Sequence, residues 1–167
     1  MKNLPVICIL ILFSFFLLPS NADSATLPGI DPCELTAPAK VYAAFPELKT
    51  MERQTIGSNT SCNYLDKYEI PALIVFVAQA DHRPLTQSLA MLGSGYTVEK
   101  ISGLGDEAAM AIQQAKPEYG LTEGVAQLQI RKGDTLLSLS PVRISAASVE
   151  EELKKLTALA EEMLKKL

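Results

Sequence analysis

The sequence predicts an α+β domain: an antiparallel sheet with helices packed on one face and an amphipathic helix at the C-terminus. Three observations predict it. Residues 70–78 (Ile-Pro-Ala-Leu-Ile-Val-Phe-Val-Ala) form a short, bounded, β-branched apolar run, as a central strand does. Residues 125–131 alternate, with Ala126, Leu128 and Ile130 on one side and Gln127, Gln129 and Arg131 on the other. One apolar and one polar side per strand is the pattern of an antiparallel sheet with one wet face. Finally, Val149, Leu153, Leu156, Ala160, Met163 and Leu167 recur at steps of four and three, the stripe of a helix with one buried side.

The elements follow in order. Asp31 can cap a helix that has Pro32 at its first position and Glu34 at its third, with a break expected at Pro38 and an end at Pro46. Residues 51–56 and 61–65 flank Gly57-Ser58-Asn59 and read as a hairpin. In the strand over 70–78, Pro71 fits only near the start or on an edge. Asp81 is expected to open a second helix that carries Leu85, Leu89 and Leu92 on one face and ends at Gly93. Gly-punctuated sequence over 96–109 leads into a strand over 108–114. A strand over 125–131, a turn at Lys132-Gly133-Asp134 and a returning strand with Leu137 and Leu139 inward complete the sheet, with Leu136 on the nominally wet side. Ser148 and Glu151 make a capping box for the last helix. Its acid-before-base pairs, Glu150–Lys154, Glu151–Lys155, Glu161–Lys165 and Glu162–Lys166, fall on the wet face. That helix is too short for a coiled coil and is expected to lie on its own sheet, in a monomer.

Residues 1–22 have the layout of a secretory signal peptide: Lys2, an apolar run over 4–18, then Pro19 and the small residues Ser20-Asn21-Ala22, with cleavage after Ala22. The alternative, an uncleaved anchor, needs about 20 apolar residues, and Pro19 breaks the run short of that. A lipid-attachment Cys would follow small residues at the cleavage point. Cys8 follows Pro5-Val6-Ile7 and Cys33 follows Ile30-Asp31-Pro32, so neither qualifies. No stable membrane anchor is expected after cleavage. Residues 23–30 then form a flexible lead-in, and residues 31–167 a single domain in the periplasm or outside the cell.

Loss of the leader removes Cys8 and leaves Cys33 and Cys62, which are expected to form one disulfide in an oxidising compartment. A redox pair would sit as C-x-x-C, and a metal site would need more ligands than the lone His82 adds, so no metal and no cofactor are expected. The chain carries 15 basic and 19 acidic residues, a net charge of −4, and the loss of Lys2 makes it one unit more negative. Nucleic-acid binding needs a basic stripe, and none appears. With no Trp, a stacking platform for sugars would have to use the five Tyr residues.

Three groups could carry chemistry. Asp81-His82-Arg83 holds the one side chain that titrates near neutrality, but no nucleophile elbow accompanies it. Gly103-Leu104-Gly105-Asp106 lacks the third Gly and the Lys of a phosphate loop and reads as a tight turn into a strand. Residues 145–148 are small and polar and lead into the last helix. No catalytic residue is assigned; Asp81, His82 and Asp106 stand as the candidate functional residues.

Asp31-Pro32-Cys33, then Cys62-Asn63-Tyr64, then Gly103-Leu104-Gly105-Asp106-Glu107-Ala108, then Leu128-Gln129-Ile130-Arg131-Lys132-Gly133-Asp134 and a Leu- and Ala-rich terminal helix follow one another in order. This succession resembles the small exported domains of unknown function found in bacterial cell-envelope lipoproteins and sensor ectodomains. The resemblance implies an α+β domain with a helix-to-sheet disulfide and no particular reaction. The expected function is a non-catalytic binding or interaction module of the envelope, taking an unidentified protein or small molecule. The alternatives are an exported hydrolase assembled from Asp81, His82 and Asp106, and an inhibitor of a secreted enzyme.

Overall fold

Two prolines divide the N-terminal helical region of the computed structural model, which describes residues 29–57, 59–144 and 147–167. The leader over 1–22 and residues 23–28 of the lead-in lie outside the described residues. A 3-10 helix, Pro32–Glu34, has the Asp31 side chain accepting the Cys33 N–H at 2.9 Å. Helix α1, Pro38–Ala44, then starts with proline at its first position, where a missing N–H costs nothing. The break at Pro38 is therefore the expected one. Ile30, assigned to the lead-in, is partly buried against the core.

Seven strands follow: β1 Thr50–Ile56, β2 Asn59–Leu65, β3 Pro71–Gln79, β4 Tyr96–Ile101, β5 Glu107–Gln113, β6 Gly124–Lys132 and β7 Thr135–Pro141. They form one antiparallel sheet in the order β1-β2-β3-β7-β6-β5-β4. The apolar run is thus an interior strand, with Pro71 at its first position where no interior ladder bond is lost. Helix α2, Leu85–Ala90, links the first three strands to the last four. Helix α3, Val149–Leu164, closes the chain.

Side-chain alternation sorts the core into two layers. Cys62, Tyr64, Leu73, Val75, Val77, Met110, Leu128, Ile130, Leu137 and Leu139 face α1 and α3, where they meet Val41, Phe45, Leu156, Ala160 and Met163. Ala109 and Ala111 point the other way and receive Leu85 and Leu89 of α2, with Tyr96, Val98, Ala126 and Leu136 around them. The helices are therefore not confined to one face: α1 and α3 cover one side, and α2 covers part of the other. This explains the apolar Leu136 on the nominally wet side. Ala126 also departs from the simple alternation. The β5–β6 register shifts between Ala111 and Ile112, so Ala126 leaves the Leu128–Ile130 side. The rest of the second face is mixed: Ile74 and Phe76 of β3 stand half-buried on it beside polar pairs, in which Asn63 Nδ2 donates to Gln54 at 3.0 Å and Gln127 Nε2 to Ser138 at 2.8 Å.

Helix α2 begins four residues later than expected. Asp81 accepts the Arg83 N–H at 3.1 Å in a local turn, and Pro84 restricts Arg83 to extended backbone, so the helix starts at Leu85. It ends at Ala90, and Leu92 is left 44% exposed. Cys33 and Cys62 form a disulfide with Cα atoms 4.9 Å apart, tying the 3-10 helix to β2 as expected. In α3, Ser148 caps with its oxygen accepting the Glu151 N–H at 3.2 Å. Lys155 pairs with Glu151 at 2.8 Å, but Glu162 turns to Lys165 at 2.7 Å and across to Lys40 of α1 at 2.6 Å.

Candidate functional site: a cleft over a buried carboxylate

Glu152 is the one buried acid in the core of the described residues, 5% exposed on the side of α3 that meets the sheet. It sits three residues after Val149 and four before Leu156, so the helix period itself turns it inward. Its Oε2 accepts the Val125 N–H at 2.9 Å. The β6–β7 pairing ends at Leu128 and the β5 register shifts beside Val125, so this carboxylate takes the place of a strand partner. Gly124 lies beside it: a Cβ there would stand 3.4 Å from Oε2, an ordinary contact. Among the described residues, the other carboxylate oxygen has no hydrogen-bond partner. Burial pushes the Glu152 pKa up, opposed by the Val125 N–H and the Lys155 charge.

Above Glu152 lies a cleft of about 1080 Å³. Its walls are the loop 120–124, the chain leaving β7 at Pro141–Ile144, and the first turn of α3. A one-residue bridge between Lys116 and Leu121 closes the loop, and Gly120 turns it with φ at +69°, a backbone state that glycine accepts without strain. The lining mixes Leu121, Val125, Val142 and Ile144 with Glu123, Glu150 and Arg143. Val142 is 57% exposed and Leu121 41%, so both present apolar surface to the cleft. Apolar walls around a few convergent polar groups are the usual make-up of a small-molecule site.

Asp81, His82 and Asp106 lie elsewhere, at the far end of the sheet, and all three are exposed. Asp106 Oδ2 accepts the Gly133 N–H at 2.7 Å, and its own N–H donates to the Arg131 carbonyl at 2.8 Å, which latches the β6–β7 turn. Asp81 accepts from Arg83 Nε at 2.8 Å, and this neighbouring guanidinium holds its carboxyl below the ordinary value. Arg131 ties these pieces together: it donates to the carbonyls of Asp81 and Arg83 at 3.2 and 3.3 Å and pairs with Glu107. The second Glu107 oxygen accepts the Leu85 N–H at 3.0 Å, capping α2, whose own N-cap, Pro84, has no side-chain donor or acceptor to offer. Asp81 and Asp106 therefore serve turns that flank one structural lock, and neither bonds to His82.

Gly103 and Gly105 have φ of +79° and +62°, the tight turn expected of them. Among the described residues, no group of three or more His, Cys, Asp or Glu is placed to hold a metal, and no helix is long and apolar enough to cross a membrane. Comparison with family models, with curated proteins and with solved structures returns no match. The site must speak for itself.

Sequence reasoning missed Glu152, the last of three consecutive glutamates, because only its neighbours Glu150 and Glu151 enter the wet-face pairs. The available signal was its place on the apolar stripe, between Val149 and Leu156.

Proposed function

We propose that this protein is an exported, non-catalytic binding module of the cell envelope whose ligand occupies the cleft above Glu152. The observation that carries this reading is the carboxylate itself, buried on the floor of an open cleft with one oxygen that bonds to no described residue. A glutamine there would satisfy the Val125 N–H without the desolvation cost of a charge. Keeping an acid at this position is explained by a ligand that uses it. Export is supported by the composition of residues 1–22 and by the Cys33–Cys62 disulfide, a bond favoured in oxidising compartments.

The test is an amide NMR screen of the disulfide-bonded protein with a small-fragment library. Shifts should concentrate at residues 121–125 and 142–152. A library that perturbs only other surfaces, or none, refutes the cleft as a binding site. Intact-mass measurement of protein from its native host should give a chain starting at or near Asp23, and a retained leader would refute export by cleavage.

A further inference from the structure

We infer that the ligand of this cleft is a monocationic amine or guanidine on a compact apolar body. The inference rests on the binding reading above and adds the chemical class. Three side chains in the lining carry negative charge, Glu123, Glu150 and Glu152, against one positive, Arg143. Glu123, Glu150 and Arg143 are exposed at the rim, where water screens them, whereas Glu152 is at the floor. When ionised, the Glu152 oxygen that bonds to no described residue accepts and cannot donate, so its partner must be a donor.

Each ligand class meets that oxygen differently. An anion would meet a buried like charge at that oxygen, and the one basic side chain of the lining, Arg143, is exposed at the rim. A neutral hydrocarbon would cover the oxygen and leave it unpaired, at the full cost of desolvation. A neutral alcohol can donate one hydrogen bond but leaves the buried charge uncompensated. An ammonium or guanidinium donates a hydrogen bond and also neutralises the buried acid, forming an ion pair as well. A divalent cation is a poor fit, because such ions want six or more oxygens and the described residues bring no third ligand together. Leu121, Val142 and Ile144, exposed or half-buried along the walls, would cover the apolar body of the ligand.

The experiment compares three isosteres by amide NMR titration of the disulfide-bonded protein: cyclohexylmethylamine, cyclohexylmethanol and cyclohexanecarboxylate. The amine should shift the Val125 and Glu152 resonances and bind at least about tenfold more tightly than the alcohol, a difference of about 1.4 kcal/mol. The carboxylate should not bind there. Glu152→Gln, which keeps an acceptor for the Val125 N–H, should abolish the preference for the amine over the alcohol. The Glu152 side-chain carboxyl 13C resonance of the unaltered protein supplies a readout that needs no variant, and it should move on amine saturation and stay fixed with the carboxylate. Equal binding of the three probes in the cleft would overturn the amine assignment and leave the binding module standing. Retention of the amine preference in Glu152→Gln would overturn it too. Failure of every probe to perturb the cleft would overturn both readings.

Discussion

Tyr64→Phe should make this protein more stable, although it deletes a polar group from a natural core. Tyr64 is fully buried on β2, with its ring edge-on to Tyr42 at 6.2 Å between centroids. Among the described residues its hydroxyl oxygen has no hydrogen-bond partner. Leaving such a group buried and unpaired costs about 1–3 kcal/mol. Phenylalanine keeps the ring and removes the penalty, while the void left by one oxygen costs only a few tenths of a kcal/mol. The expected net gain is about 1 kcal/mol, a rise in Tm of roughly 3–5 °C for a domain of this size. Alkaline pH gives a second handle. Burial, helped by Tyr42, pushes the Tyr64 phenol up from 10.0 to about 12. Between those values the unfolded chain has released this proton and the folded protein still holds it, so stability falls as pH rises through the window. The variant lacks that loss, and the gap between the two proteins should widen above pH 10 and be constant below it. Urea unfolding with the disulfide intact, at pH 7 and in steps from pH 9 to 12, measures both effects. A variant destabilised by 1 kcal/mol or more at pH 7, or a gap that does not change above pH 10, would refute the assignment of an unpaired hydroxyl.

Other perturbations address the remaining parts of the fold. Leu156, fully buried between α3 and the sheet, should cost roughly 2–5 kcal/mol on change to Ala in thermal unfolding, with the protein monomeric by sedimentation before and after. Cys62→Ser opens a loop with a sequence separation of 29 and should cost about 3.5 kcal/mol, while the unaltered protein shows no reactive thiol at Cys33 or Cys62 before reduction. Gly105→Ala places a Cβ 2.6 Å from the Arg131 carbonyl oxygen at a φ of +62°, whereas Gly103→Ala at +79° meets no atom within 4 Å. The first should therefore destabilise clearly more than the second, which carries only about 1–2 kcal/mol of backbone strain. Glu107→Gln weakens the link between Arg131 and the start of α2, so hydrogen exchange at residues 85–90 should speed up while the α3 amides stay protected.

The parts of this molecule that were legible in the sequence are those set by local rules. Periodicity placed the interior strand, the β6–β7 hairpin and α3, and capping chemistry placed Asp31 and Ser148, because each depends on residues a few positions apart. The Cys33–Cys62 pairing followed from counting. What the sequence hid depends on contacts between distant segments. The start of α2 is held by Glu107 and Arg131, 22 and more residues along the chain, and an Asp81 cap was the only local substitute for that knowledge. The two-sided burial of β5 is written as Ala108-Ala109-Met110-Ala111, in which the alanines carry no strong face preference and reveal which side is covered only once α2 is seen against Ala109 and Ala111.

Glu152 belongs to both categories, and this is why it is informative. Its inward direction follows from the helix period alone, yet its role depends on a Val125 N–H that the register shift in β6 leaves without a strand partner. A purely structural acceptor at that point has no need of charge, and charge there lowers stability at neutral pH. The raised Glu152 pKa gives the sign: the folded state favours the protonated acid, so its contribution is fully present at low pH and lost as pH rises past the ordinary carboxylate value. Glu152→Gln should accordingly unfold at the same or a higher temperature than the unaltered protein at pH 7, with the difference shrinking in acid. Thermal scans at pH 4 and pH 7 decide it. Destabilisation by the substitution at both values would mean that the carboxylate is needed for folding, and the argument that it is kept for a ligand would fall.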